Sequence, residues 1–185
     1  MTDLAPQIPE GVLRRYVRAK DENRPHLLDR VFAPDAILEI SNASDAIDFP
    51  ATTSGRDAIT DVLVRSFGQT YENIYTFCLE RPHELATAFE CGWLVAMTEK
   101  RAARDVRVGC GRYAWRFDPR PPGLASRLLI TILEMRLLPA AEAAAVLSGI
   151  EGLSYPWSSV AEIEALAARQ PLFGFVCRHV RATPR

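Results

Sequence analysis

The spacing of apolar residues passes from a helical period to alternation and back along the chain, and the changes divide it into helix, strand and helix. Val12, Leu13, Tyr16 and Val17 recur at three- and four-residue intervals, which predicts a helix with one buried side. Pro9 suits its first turn, where a missing N–H leaves no bond unmade. Pro25 pushes Arg24 out of helical geometry, so the helix is expected to break at residues 23–24 before a second short one carrying Leu27, Leu28, Val31 and Phe32. Residues 9–32 therefore predict a helix pair packed on a sheet.

Strand character begins at residues 36–40, and the stretch 41–54, rich in Ser, Asp, Asn and Thr, reads as a long loop. Ser54 and Gly55 open a helix with Ile59, Val62, Leu63 and Phe67 on one side, and Gly68 is expected at its C-cap. Long strands follow at 71–79, 85–98, 106–118 and 126–138, separated by Pro82, by the charged turn 99–105 and by residues 119–123. Strands this long curl, and Gly92, Gly109 and Gly111 mark places where a curled sheet bends or admits a bulky neighbour. The expected fold class is α+β, with a strongly curved antiparallel sheet packed on the N-terminal helices.

Residues 1–138 are expected to form this domain, and residues 139–185 a helical C-terminal extension packed on it. The stretch 140–147 is alanine-rich, and Ser159 and Glu162 have the spacing of a capping box ahead of a helix over 160–169 that Pro171 stops. Residues 172–180 have strand-like content suited to pairing with a sheet edge or covering a pocket mouth, and residues 181–185 are expected to fray.

A chain of 185 residues with 48% hydrophobic content has enough apolar surface for one core. Its 22 Lys and Arg stand against 23 Asp and Glu, so charge supplies no attraction to nucleic acid or to an anionic membrane, and neither is expected as a partner. The apolar stretch 125–138 is interrupted by Ser126, Arg127, Thr131, Glu134 and Arg136 and is too short to span a bilayer. The opening Met-Thr-Asp-Leu-Ala-Pro lacks the basic and apolar regions of a secretory signal, which points to the cytoplasm. Cys78, Cys91, Cys110 and Cys177 are widely separated and no histidines stand at zinc spacing, so buried thiols are expected, and neither a metal nor another cofactor.

Three local wordings resemble one family. Arg15-Tyr16-Val17 followed by Leu28-Asp29-Arg30-Val31-Phe32-Ala33-Pro34-Asp35-Ala36 is similar to the opening of SnoaL-like and ketosteroid-isomerase-like chains of the NTF2-like superfamily. Gly55-Arg56-Asp57-Ala58-Ile59 looks like their helix start, and Gly111-Arg112-Tyr113-Ala114-Trp115-Arg116-Phe117 like one of their strands. The resemblance covers residues 12–138. It implies a cone around a pocket for a small hydrophobic ligand, and a cofactor-independent isomerase, dehydratase or cyclase acting on a polyketide- or steroid-like compound. In similar proteins the outer sheet face forms a two-fold contact, which implies a homodimer. The strand wording is equally similar to the small subunit of aromatic-ring dioxygenases, so a non-catalytic subunit or binding module stays open.

In ketosteroid isomerases a tyrosine of the first helix and a protonated aspartate donate to an enolate while a second aspartate moves the proton. Tyr16 matches that tyrosine. The base position falls on Ile40, with Glu39 one residue away and so on the opposite face, and the second acid position falls on Tyr113. In scytalone-dehydratase-like chains an aspartate ends the first helix. Asp21 matches it, Lys20 stands where its tyrosine neighbour is expected, and His26, His83 and His179 miss the two strand histidines. The candidate catalytic residues are thus Tyr16 as donor and Asp21 as base, although five residues set them about 140° apart around a helix. Alternation along 106–117 places Tyr113, Trp115 and Phe117 on one face, which the resemblance turns into the cone. With Phe67, Trp93 and Met97 they are the expected pocket lining, and the same aromatics equally suit a filled core.

Overall fold

Each of these patterns takes a definite place in the computed structural model of the chain, which describes residues 8–101, 104–120 and 123–181. The expectations for the N-terminal residues 1–7, for the end 182–185 and for parts of the turns 99–105 and 119–123 lie outside the described residues.

The helical spacing near the N-terminus becomes α1 (Pro9–Asp21), with Val12, Leu13, Tyr16 and Val17 buried on its inner side. Pro9 sits in its first turn. Pro25 opens a 3-10 turn (Pro25–Arg30) that leads into β1 (Phe32–Asn42). The loop that follows ends in β2 (Thr52–Ser54), which pairs back on β1. A continuous helical run then comprises α2 (Arg56–Thr60), a π-helical stretch (Asp61–Ser66) and α3 (Phe67–Thr70).

This run passes through Gly68 instead of ending there, and the glycine has another reason: a Cβ at Gly68 would lie 2.7 Å from the Asn23 side chain. Gly68 therefore lets the end of the run approach the turn after α1.

The four long strands are β3 (Tyr71–Cys78), β4 (Ala88–Glu99), β5 (Val106–Phe117) and β6 (Ala125–Leu138). The sheet runs β2-β1-β6-β5-β4-β3 and is antiparallel except where β1 lies parallel to β6. The pairing of β5 with β6 slips at Cys110/Gly111 and Arg116/Phe117, and such bulges bend a long sheet. At the first slip a Cβ on Gly111 would sit 1.9 Å from the Thr131 carbonyl and 2.5 Å from the Trp93 ring, so only glycine fits. The result is a curved, unclosed sheet whose concave face holds the first three helices.

The C-terminal part is α4 (Ala143–Ile150), α5 (Val160–Arg169) and α6 (Gly174–Arg181). Residues 172–180 are thus helical, contrary to the strand-like reading. Phe173, Val176 and Val180 recur at helical intervals, and Phe173 and Val176 are fully buried. The free edge of β3 is met by a different segment: the Cys78 amide donates to the Pro156 carbonyl (2.7 Å) and the Ser158 amide to the Cys78 carbonyl (2.9 Å).

The tail packs on the convex face. Leu94 and Ala96 of β4 and Val106, Val108 and Cys110 of β5 join Ile150, Ile163, Leu166, Phe173 and Phe175 in a second core. Burial pushes the Cys110 thiol up to about 12, which keeps it an apolar filler. Glu134 of β6 pairs with His179 of α6 (2.9 Å), and the Arg136 guanidinium lies over the Phe175 ring. This bears on the expected two-fold contact, because the chain's own tail already occupies much of the outer sheet face. What stays open is a strip with Ile37, Glu39 and Arg127 at the β1–β6 side.

Ser159 and Glu162 form the capping box at the start of α5. The Glu162 carboxylate also accepts from the Ser154 amide and hydroxyl, and hydrogen bonds from Ser154 and then Ser159 hold it down at about 2. A carboxylate depressed in the folded state stabilises the fold above its unfolded value, and that stabilisation fades as the pH falls through the folded value. Glu162→Ala is expected to cost about 1 kcal/mol at neutral pH, read by urea unfolding. The gap from the unsubstituted protein is expected to close between pH 4.5 and 2, the span of the shift.

Candidate functional site

The inner side of α1 carries two polar side chains one turn apart. Tyr16 and Lys20 are four residues from each other and so share a helix face, whereas Asp21 is turned away from Tyr16. Both shared-face residues are buried, Tyr16 to 1% and Lys20 to 6% exposure.

They form one wall of a cavity of about 50 Å³ inside the cone. Ile40, Ile130, Ile132 and Met135 come from β1 and β6; Trp93, Val95, Met97 and Tyr113 come from β4 and β5. Leu63 of the π-helical stretch, Phe67 of α3, and Ile47 and Phe49 of the loop after β1 close it. A volume of this kind holds roughly three to five water molecules. A second hollow of about 290 Å³ lies beyond, lined by Asp48, Val62 and Tyr71 among others, and it shares Ile47, Phe49 and Phe67 with the first. Those three side chains are the partition, and the Phe49 and Phe67 rings stack in it with centroids 6.1 Å apart. Drug-sized ligands take about 300–1,000 Å³. The first cavity by itself falls well short of that range, and the second hollow comes close to its lower end.

The loop carrying Ile47 and Phe49 is fastened at its middle. The Asn42 side chain donates to the Ile47 carbonyl (2.6 Å), and Arg107 of β5 donates to the Ala46 carbonyl (2.9 Å) while pairing closely with Glu99.

Two polar groups of the cavity wall have no partner. The Tyr16 hydroxyl and the Trp93 indole N–H are buried without a hydrogen-bond partner among the described residues. The Tyr113 ring meets Tyr16 edge to face at 5.7 Å; its phenol influences Tyr16 ionisation without completing a hydrogen bond to that hydroxyl. Burial pushes both phenols above their ordinary value, so both remain protonated at any physiological pH.

Lys20 is held from behind. Its Nζ donates to Thr76 Oγ1 (2.6 Å), lies 3.0 Å from Asp21 Oδ1 and stands 5.0 Å from the Phe67 ring centre. Asp21 accepts from the Thr76 amide (2.7 Å), the Thr76 hydroxyl (2.8 Å) and the Tyr155 hydroxyl (3.0 Å). Tyr155 comes from the tail, between α4 and α5. Asp21 and Tyr155 border a separate groove on the outside of the cone, with Glu22 and Tyr75.

Of the residues expected at the site, the fold brings Tyr16, Phe67, Trp93, Met97 and Tyr113 together around the cavity. Trp115 and Phe117 lie on the same sheet face but are packed elsewhere in the core. Trp115 stacks between Phe32 (5.9 Å) and Phe117 (6.0 Å) and meets Tyr16 edge-on at 5.1 Å. Asp21 does not reach the cavity; Lys20 stands at the wall in its place. Ile40 faces inward while Glu39 points outward to Arg127, as strand alternation requires. His83 accepts from the Leu85 amide in an exposed turn, and His179 belongs to the tail contact. The sequence reading places neither Lys20, Ile47 and Phe49 nor the aliphatic residues Leu63, Val95, Ile130, Ile132 and Met135 at the site. Lys20 had a signal in its four-residue spacing from Tyr16; the two loop residues had none.

A curved sheet wrapped on helices around such a cavity is the NTF2-like cone. No family model and no curated protein matches the sequence. Among solved structures, an NTF2-like superfamily protein from Salmonella enterica serovar Typhimurium superimposes with a TM-score of 0.53 at 15% identity, over 65% of this chain and 85% of that one. A type 2 hexachlorocyclohexane dehydrochlorinase gives 0.53 at 13% identity, over 69% and 84%. The epoxide hydrolase/cyclase-like enzyme SalBIII, described for pyran ring formation in salinomycin, gives 0.50 at 13%, over 68% and 92%. At these identities the likeness establishes the fold. Among the described residues, no helix is long and apolar enough to cross a membrane.

Proposed function

We propose that the cone takes up a small, mostly apolar molecule and holds one hydrogen-bond-accepting atom of it against Tyr16. The observation that carries this is the buried, unpartnered Tyr16 hydroxyl on the wall of an otherwise apolar cavity. An unsatisfied buried hydroxyl costs about 1–3 kcal/mol, which a ligand carbonyl or ether oxygen would relieve. The Trp93 N–H offers a second donor nearby.

The chemistry in this reading is isomerisation, elimination or cyclisation of a polyketide- or steroid-like compound without a cofactor. Tyr16 polarises the bound oxygen, and Asp21, the candidate base of the sequence, stands behind the wall, where it holds Lys20 in place. Four free thiols suit a reducing cytoplasm as its location. A homodimer through the outer sheet face belongs to the same reading and would use the open strip beside Ile37.

A second reading, a non-catalytic binding or partner subunit, is favoured by one observation: no carboxylate or imidazole lines the cavity. Co-purification with a larger subunit supports it, and a solitary dimer opposes it.

The binding claim is tested with acetophenone, a neutral ketone, followed by quenching of tryptophan fluorescence. Tyr16→Phe is expected to weaken its binding about tenfold, the worth of one hydrogen bond of roughly 1.4 kcal/mol. Equal affinities in the two proteins would take Tyr16 out of the site.

A further inference from the structure

We propose that the convex side of the molecule holds a second binding site, independent of the cone, for a primary ammonium ion carried on a compact apolar body. The site is a hollow of about 280 Å³ between the outer sheet face and the tail, close to the lower end of the range that drug-sized ligands take.

One outward position of the sheet lacks a side chain, and the hollow lies there. Leu94 and Ala96 of β4 belong to the second core, so alternation sets Gly92 and Glu90 on the same outer side. Gly92 stands opposite Arg112 of β5. The tail contributes Val160 of α5 and His179 and Val180 of α6, and the chain just after β3 contributes Leu79 and Glu80. Leu79, Val160 and Val180 form an apolar wall, while Glu80, Glu90, Arg112 and His179 supply the charged and polar groups.

The balance of these groups selects a cation. Glu90 and Arg112 pair at 3.2 Å and offset each other in charge. Glu80 has no ion-pair or hydrogen-bond partner among the described residues, so the charge left at the hollow is negative. His179 adds an acceptor in its neutral form. Its Nε2 lies 2.9 Å from Glu134 Oε2, and because a carboxylate only accepts, Nε2 carries the hydrogen. In the neutral ring Nδ1 is then the acceptor, and the Glu134 contact fixes the orientation of the ring. A solvated rim accounts for exposed glutamates, but not for a held imidazole and an apolar wall beside them. A primary ammonium brings three N–H donors and bonds a carboxylate more strongly than a neutral donor does. The apolar wall takes the body that carries it.

The probes are cyclohexylamine, protonated at neutral pH, and cyclohexanol, which has the same shape without the charge. Each is titrated into the nitrogen-15-labelled protein and followed through the amide resonances. Cyclohexylammonium is expected to shift the Gly92 and Gly111 amides of the lining and to bind about tenfold more tightly than cyclohexanol, the difference between a charged and a neutral donor. Glu80→Gln, at an exposed position where the fold is not at stake, is expected to remove most of that preference. Glu84→Gln, an exposed carboxylate outside the hollow, is expected to leave it intact. Equal affinity for the two probes, or an equal loss in the two variants, overturns the ammonium site. So does an amine that shifts only the Trp93 indole of the cone, or one that shifts no resonance at all.

Discussion

Asp21→Ala is expected to lower the stability of the fold by about 3–5 kcal/mol, the usual cost of removing one partner of a buried ion pair. The Lys20 and Asp21 side chains are 7% and 3% exposed, so the ammonium left behind would have little water to turn to. The Thr76 amide and the Tyr155 hydroxyl would lose their acceptor in the same step. Urea unfolding reads the loss. Replacing both partners, Lys20→Met with Asp21→Asn, is expected to recover most of it, because no uncompensated charge then remains buried. A loss below about 1 kcal/mol for Asp21→Ala would mean that the pair behaves as a surface contact. The lysine would then be free to leave the cavity wall.

Phe173→Ala is expected to cost a similar amount, about 3–5 kcal/mol, and to do so in a single transition. Phe173 is fully buried in the second core, between the tail helices and the convex face of the sheet. Its partners there include Phe77, Leu94 and Val108 of the long strands, and Tyr155 carries the tail round to Asp21. Residues 139–181 are therefore expected to melt together with the cone, as one layer of a single domain. Circular dichroism and tryptophan fluorescence should report the same midpoint. Two separated transitions, with the tail melting first and the cone intact, would contradict that view.

The local rules that served best were those with a short range. The helical spacing from Val12 to Val17, the alternation along β5 and the Ser159–Glu162 box depend on neighbours within a few residues, and each formed as its pattern implied. Residues 172–180 failed because their apolar content suits either period. Tertiary packing decides between them: residues 156–158 occupy the edge of β3, and Phe173 and Val176 are buried against the convex face. Gly68 misled because a glycine near a helix end has two explanations, a C-cap and a close approach, and Asn23 supplies the second.

The site was legible in part for the same reason. Facing direction along β5 follows from the pleat, which turns Tyr113 toward the cavity. How deep Trp115 and Phe117 sit depends on α1 and Phe32, which are far away in sequence. Lys20 departs from the tyrosine that the resemblance implies there, and its four-residue distance from Tyr16 puts both on one face. That it is buried depends on Thr76 in β3 and Phe67 in α3, contacts that no local pattern contains.

The central claim is that Tyr16 forms the polar end of an apolar cone. A crystal structure of the protein soaked with acetophenone tests it most directly. The account predicts the ring among Trp93, Met97 and Phe67, with its carbonyl oxygen within hydrogen-bonding distance of the Tyr16 hydroxyl. A ring seated in the cone with that oxygen turned toward the Phe49–Phe67 partition, or a probe found only outside the cone, would contradict it.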